Sequence, residues 1–198
     1  MKKLNIGCGN IPLLGYINID KYYYPGSIHS GMNLEDGKTW NMTYPDSPWI
    51  YGDAVKLDFS NETFDEVIMV HCLEHLSMNK GNEAIGEAVR VLKKGGFLEI
   101  EVPNLTVACE LFLKSNISLD GNNDFWFKAM GLLYGSKGDE GEGQFHLCGY
   151  SKEYLKFRME EHHLTNITEI PVSFGHGTRI GLGKGEPVFD FRLKGYKA

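Results

Sequence analysis

Long apolar runs are missing from this chain. The longest are strand-sized, such as Val67–Val70, and none approaches the roughly 20 residues a helix needs to cross a bilayer. Met1-Lys2-Lys3 leads into three strand-like residues and then a glycine. That stretch is too short for a secretory leader, so a cytoplasmic protein is expected. C-x-x-C pairs are missing as well. The four cysteines, Cys8, Cys72, Cys109 and Cys148, lie far apart, and reduced, mostly buried thiols are expected ahead of zinc or disulfides. Positive charge is scarce: 20 Lys and Arg stand against 26 Asp and Glu, a net charge of −6. A duplex binder neutralises phosphates with a basic face. The local cluster Arg192, Lys194 and Lys197 is sparse and reads as solvated surface, so a nucleic-acid partner is disfavoured.

What is present fits one α/β domain. A chain of 198 residues can bury a core without staples. Leu4–Ile6 reads as a short buried strand stopping at Gly7, and Tyr16–Ile19 as a second that ends at Asp20. Residues 21–47 lack periodicity and read as an irregular connection. Trp49–Tyr51 is a third strand, and Phe64–Val70 a central parallel one. Ala84, Ile85, Ala88, Val89 and Leu92 recur at helical spacing, with Gly95-Gly96 as the stop. Phe97–Val102 is the next strand.

Residues 104–150 break the alternation. Leu105, Ala108, Cys109 and Phe112 mark one helix. Phe125, Trp126, Ala129, Met130 and Leu133 mark a second with a bulky aromatic face, suited to core packing or to walling a pocket. Gly135 to Gly143 is loop by composition. Ser151 suits the N-cap of a helix running to about His163. Asn166–Ile170 and Val188–Lys194 read as strands, with a glycine-rich turn over 171–187 between them.

The chemistry starts at Gly7-Cys8-Gly9. Glycines after a buried strand let backbone approach a ligand where a β-carbon would clash. The third glycine of the dinucleotide fingerprint would fall on Pro12, which removes an N–H that a pyrophosphate could use. A phosphate-free nucleoside suits the turn better. Asp20, at the end of the second strand, can accept both hydroxyls of a ribose. Asp53, after the third, can accept from an adenine amino group. Either carboxylate can instead cap a turn.

Leu4-Asn5-Ile6-Gly7-Cys8-Gly9-Asn10 resembles motif I of the class I methyltransferases that use S-adenosylmethionine (SAM). Tyr16–Asp20 resembles their second strand, and Gly52-Asp53-Ala54 their adenine-contacting segment. Phe64–Val70 with His71-Cys72-Leu73-Glu74-His75 resembles their fourth strand and the short element after it. Val91–Ile100 resembles the helix end and fifth strand, and Gly149-Tyr150-Ser151 a later helix start. The resemblance implies a Rossmann-like, seven-stranded, mostly parallel sheet of order 3-2-1-4-5-7-6, with strand 7 antiparallel and helices on both faces. It implies SAM as cofactor. Gly7, Cys8 and Gly9 would approach the methionine part, Asp20 the ribose, Asp53 and Ala54 the adenine, and His71 the methionine side near the methyl. Asn5 stands where the family often has an acid and would still hydrogen-bond; Ile11 stands where a third glycine is common. The interval from Gly9 to Asp20 leaves room for only a very short first crossover helix.

His71-x-x-Glu74-His75 also fits H-x-x-E-H, a zinc-peptidase pattern that belongs inside a helix. With His146, these residues would make an N/O metal set; a structural His75 and no metal is the expectation adopted. Methyl transfer needs alignment and exclusion of water, and a base only where the acceptor loses a proton. His75 and His146 are the candidates for that catalytic role. The segment after the fourth strand lacks the Asn/Asp-Pro-Pro-Tyr motif of amino-group methylation.

The expectation is a single SAM-dependent methyltransferase domain over residues 1–198, with 104–150 as an insertion over the acceptor side. It acts on a small molecule or sugar, as a monomer or homodimer. Two alternatives stay open: a catalytically silent SAM-binding partner protein, and a metal-dependent hydrolase built on His71, Glu74 and His75.

Overall fold

The computed structural model describes residues 1–9, 12–21, 49–115, 124–135, 145–172 and 189–198. Seven strands form one sheet: β1 (Lys3–Ile6), β2 (Ile17–Asp20), β3 (Trp49–Tyr51), β4 (Phe64–Val70), β5 (Leu92–Pro103), β6 (Leu164–Ile170) and β7 (Asp190–Lys197). Their order is β3-β2-β1-β4-β5-β7-β6. The first five pair in parallel, and β7 runs antiparallel to both β5 and β6. This is the expected topology. The order reverses between β1 and β4, and the crevice at the carboxyl ends of those strands is where such sheets bind ligands.

The two sheet faces differ. Leu4, Ile6, Ile19, Val67, Met69, Leu98, Ile100 and Leu193 bury one face. They pack under α1 (Met78–Val91) and α4 (Lys152–Glu161) through Ala84, Ile85, Ala88, Val91, Leu155 and Met159. Each such aliphatic side chain contributes roughly 1.5–3 kcal/mol by leaving water. Strand alternation sends Lys3, Asn5, Glu66, Glu99, Glu101, Arg192 and Lys194 to the other face. There Lys3 Nζ meets Glu66 at 2.9 Å and Lys194 Nζ meets Glu99 at 3.1 Å. Arg192 bridges Glu99 and Glu101. The tail cations are therefore not a solvated surface. Arg192 is buried between strand partners, and Lys197 Nζ donates to the Val89 and Leu92 carbonyls.

Other expectations are corrected too. Helix α1 stops at Val91, and its cap residue Leu92 is already extended. Gly95-Gly96 lies inside β5, where Gly95 takes φ +75° beside a register shift between Phe64 and Glu66. A β-carbon on Gly96 would sit 2.8 Å from the Asp65 carbonyl oxygen, so the close pairing with β4 requires glycine there. Among the described residues, 12–16 form turns and no helix.

The insertion holds α2 (Leu105–Lys114) and α3 (Asp124–Tyr134). Asn104 caps α2 by accepting from the Thr106 and Val107 amides. The two helices pack through small and aliphatic residues, Ala108, Leu111, Ala129 and Leu132, against Phe189. Of the aromatics on α3, Phe127 and Tyr134 are exposed. Ser151 caps α4 as expected, its Oγ accepting from Tyr154 N. All four thiols are free, but only Cys8 is fully buried and Cys109 is exposed. No described helix is long and apolar enough to cross a membrane. The expected connection over 21–47 lies almost wholly outside the described residues, as do Ile11 and most of the loops over 135–143 and 171–187.

Candidate active site

The glycine turn closes β1 at the switch point. Gly7 and Gly9 take φ +70° and +52°, which an L side chain tolerates poorly. All three turn amides are engaged within the protein. Gly7 N and Cys8 N donate to the Ile19 carbonyl at 2.9 and 3.0 Å, and Gly9 N donates to Asp20 Oδ2 at 2.7 Å. The close approach at Gly7 is to protein, since a β-carbon there would lie 2.5 Å from Cys72 Sγ.

This donor set discriminates among nucleotides. A pyrophosphate needs free amide donors at such a turn, and Gly7, Cys8 and Gly9 offer none. Among the described residues, the strand ends beside the turn offer the Asp20 and Asp53 carboxylates and backbone carbonyls as acceptors. SAM has no phosphate and presents donors: an α-ammonium, two ribose hydroxyls and an adenine amino group. The residues present therefore fit SAM.

Asp20 is buried at the carboxyl end of β2. Asp53 follows β3, where its Oδ2 accepts from Lys21 Nζ at 2.7 Å and its Oδ1 from Val55 N at 3.2 Å. Burial raises its pKa, but the bonds from Lys21 and Val55 outweigh this and hold the carboxyl below its ordinary value. Both acids thus also fasten turns, the structural role open to any carboxylate at a strand end. Ala54 is half-buried against the main core. Asn5 is placed differently: its amide donates to Asn18 Oδ1 at 2.9 Å, deep in the sheet. Asn18 in turn holds the Leu13 backbone.

His71 ends β4 with φ +50°. Its ring lies between two buried acids, with Nδ1 3.0 Å from Glu74 Oε1 and Nε2 3.5 Å from Glu101 Oε1. Burial alone would lower its pKa; the bonds to Glu101 and Glu74 reverse that and raise it to about 10. Buried Asp190 adds to this effect. Glu101, Asp190 and Arg192 were not recognised in the sequence as part of the site. Their one signal is charge at alternate positions in β5 and β7.

The histidine candidates are brought together. Leu73–His75 form a single 3₁₀ turn after β4. The Glu74 carbonyl accepts from Leu147 N at 2.6 Å and Cys148 N at 3.2 Å. That latch returns the insertion to the end of β4 and sets the His146 ring 5.0 Å from that of His75. His75 Nδ1 lies 3.1 Å from the Phe145 carbonyl, and His146 Nδ1 lies 2.9 Å from that of Leu132. A carbonyl only accepts, so each Nδ1 is the donor in its bond and each Nε2 is the ring nitrogen turned away from it.

The hydrolase alternative fares worse. His71-x-x-Glu74-His75 spans a strand end and a 3₁₀ turn, so its histidines do not share a helix face. Among the described residues, the acid–histidine group within metal-binding reach is Glu74, His75 and His146, without His71.

Residues 4–100 match the family model described as "Methyltransferase domain". A tRNA (carboxymethyluridine(34)-5-O)-methyltransferase from Arabidopsis thaliana is 34% identical over 100 residues, 50% of this chain and 23% of the relative. The chain thus spans less than a quarter of the length of that curated relative. A SAM-dependent methyltransferase structure from Methanosarcina mazei is similar with TM-score 0.60 and 17% identity, covering 99% of this chain and 92% of that one. Another from Thermotoga maritima has TM-score 0.57 and 18% identity over 100% of this chain and 82% of that one. At such identities the two structures speak for the fold. The family match runs from β1 into β5 and takes in the glycine turn and both acids, so residues 4–100 are a methyltransferase domain of the class I fold, whose cofactor is SAM.

Proposed function

We propose that this protein transfers a methyl group from SAM to an oxygen of a small-molecule or sugar acceptor. One observation carries the cofactor side: the amides of Gly7, Cys8 and Gly9 are all committed to β2, while buried Asp20 stands at the edge where a ribose would lie. SAM supplies an electrophilic methyl on a sulfonium. Asp20 would hold the ribose hydroxyls, and Asp53 with Ala54 the adenine. The carbonyls of the glycine turn would take the α-ammonium, beside the carboxyl end of β4 and His71.

What the rest of the chain contributes is alignment. The methyl must travel in line between sulfur and acceptor. The segment latched to the Glu74 carbonyl brings His75 and His146 to the end of β4. The two rings would line the place of the acceptor hydroxyl and orient its oxygen. Residues 104–150 would cover that side and exclude water.

Calorimetry with SAM and S-adenosylhomocysteine, against ATP and NADH, tests the cofactor. Binding of the first two only is expected; preference for a phosphorylated nucleotide would refute the reading. A second acceptor class is favoured by the Arabidopsis relative, which is named for tRNA. Labelled methyl appearing in bulk tRNA, and not in a small-metabolite extract, would establish it over the small-molecule acceptor. The chain's net charge of −6 favours the small molecule.

A further inference from the structure

We propose that Glu74, His75 and His146 form a site for one divalent transition-metal ion of the zinc, cobalt or manganese type. The three side chains each bring a ligand atom, and these lie within 4.8 Å of one another. Imidazole nitrogen with carboxylate oxygen suits such ions.

Glu74 supplies an independent sign. It is 1% exposed, and its Oε1 faces His71 Nδ1. Its Oε2 is buried with no hydrogen-bond partner among the described residues. A buried carboxylate oxygen without a donor is costly, and a cation at that position offsets the cost. The histidines are prepared for the same ion. With each Nδ1 donating to a backbone carbonyl, the tautomer and ring plane are set for ligation through Nε2. This carbonyl-backed arrangement is the usual support of a metal-binding imidazole.

The backbone makes the set stable. His146 N donates to the Tyr134 carbonyl, and Leu147 N and Cys148 N hold the Glu74 carbonyl. The third ligand thus arrives on a segment hydrogen-bonded to the residue that carries the first. Bonds of about 2.1 Å in tetrahedral geometry place ligand atoms about 3.4 Å apart. The ligand atoms, within 4.8 Å of one another, draw in toward that spacing around a bound ion. Charge favours it: the buried carboxylates Glu74 and Glu101 flank His71, and buried Asp190 adds a further negative charge to this end of the sheet. Three protein ligands leave a coordination position open. An acceptor oxygen filling it would be polarised and held beside the methyl. That last role rests on the methyltransferase reading; the binding of the ion does not.

Cobalt(II) titrated into the chelator-treated protein reports ligation through its visible absorption. One equivalent is expected to bind with bands of low coordination number. Affinity is expected to fall at least about tenfold in Glu74→Gln and in His146→Ala, and to hold in His163→Asn, an exposed histidine after α4. If a variant does not fold by circular dichroism, cobalt broadening of the His75 and His146 ring signals in the unsubstituted protein makes the same assignment. No uptake by the folded protein at millimolar cobalt, uptake that survives both substitutions, or broadening confined to other histidines overturns the proposal. SAM calorimetry runs beside it. Cobalt failing while SAM binds removes this site alone; SAM failing while cobalt binds removes the cofactor reading alone.

Discussion

Replacing Gly7 by alanine tests how the glycine turn is built. Two costs are expected. At φ +70° an alanine pays about 1–2 kcal/mol relative to glycine. Its β-carbon would also lie 2.5 Å from Cys72 Sγ and 2.6 Å from Cys72 Cβ, an overpacking of about 1–3 kcal/mol. Together they predict a loss of about 2–5 kcal/mol, or roughly 5–20 °C in Tm for a chain of this size. A double-mutant cycle by thermal or urea unfolding separates them. Cys72→Gly removes both offending atoms and should return about 1–3 kcal/mol of the Gly7→Ala loss, leaving the backbone cost. Cys72→Ala keeps the β-carbon and should return much less. Equal rescue by both, or by neither, would refute the assignment of this glycine to close packing between the ends of β1 and β4.

Asp20→Ala should weaken SAM binding about 100-fold or more in calorimetry, since it removes two charge-assisted bonds of about 1.5–3 kcal/mol each. Asp20→Asn keeps an acceptor for Gly9 N and should preserve Tm better than alanine while still losing affinity. Arg90 binds the Leu57 and Phe59 carbonyls, Asn61 Oδ1 and Glu87; Arg90→Ala should cost about 1–3 kcal/mol in urea unfolding. The Arg90 bond, joined by one from Leu57 N, holds the Glu87 carboxyl below its ordinary value despite some burial. The stability it confers is therefore present above the unfolded glutamate pKa of about 4.3 and is lost as pH falls. Glu87→Gln should flatten the acid limb of a stability–pH curve. Gly81→Ala would bring a β-carbon 2.5 Å from the Tyr150 hydroxyl, so Tyr150→Phe should restore much of the lost Tm.

Local pattern carried most of the parallel sheet. β1, β2 and β3 lie close to where apolar runs end in glycine or acid. The strand order came through resemblance, because no local pattern encodes which strands pair. Gly95-Gly96 misled for a physical reason. A glycine pair serves a left-handed helix cap and a strand irregularity equally well, and the deciding contact, Leu92 with Phe64, is remote in sequence. Arg192 and Lys194 misled similarly: alternation shows that they share a face, and only pairing with Glu99 and Glu101 shows that their charges are matched there. Asp20 and Asp53 were legible as strand-end acids because strand ends are legible. Asn5 was not, since its partner Asn18 becomes its neighbour only once β1 and β2 pair. His146 had no motif, and its place beside His75 depends on a backbone latch no side chain advertises.

The ionic ladder between β5 and β7 acts as a ruler. Were β7 to slide one residue along β5, Glu99 and Glu101 would stand opposite Leu193 and Phe191 or Gly195 and Leu193, and the cations of β7 would turn into the oily layer beneath α1 and α4. An antiparallel ribbon of greasy residues alone could settle in several alignments. This one has a single alignment in which Glu99 and Glu101 both face a cation, so the strand added last in the chain is told where to stop.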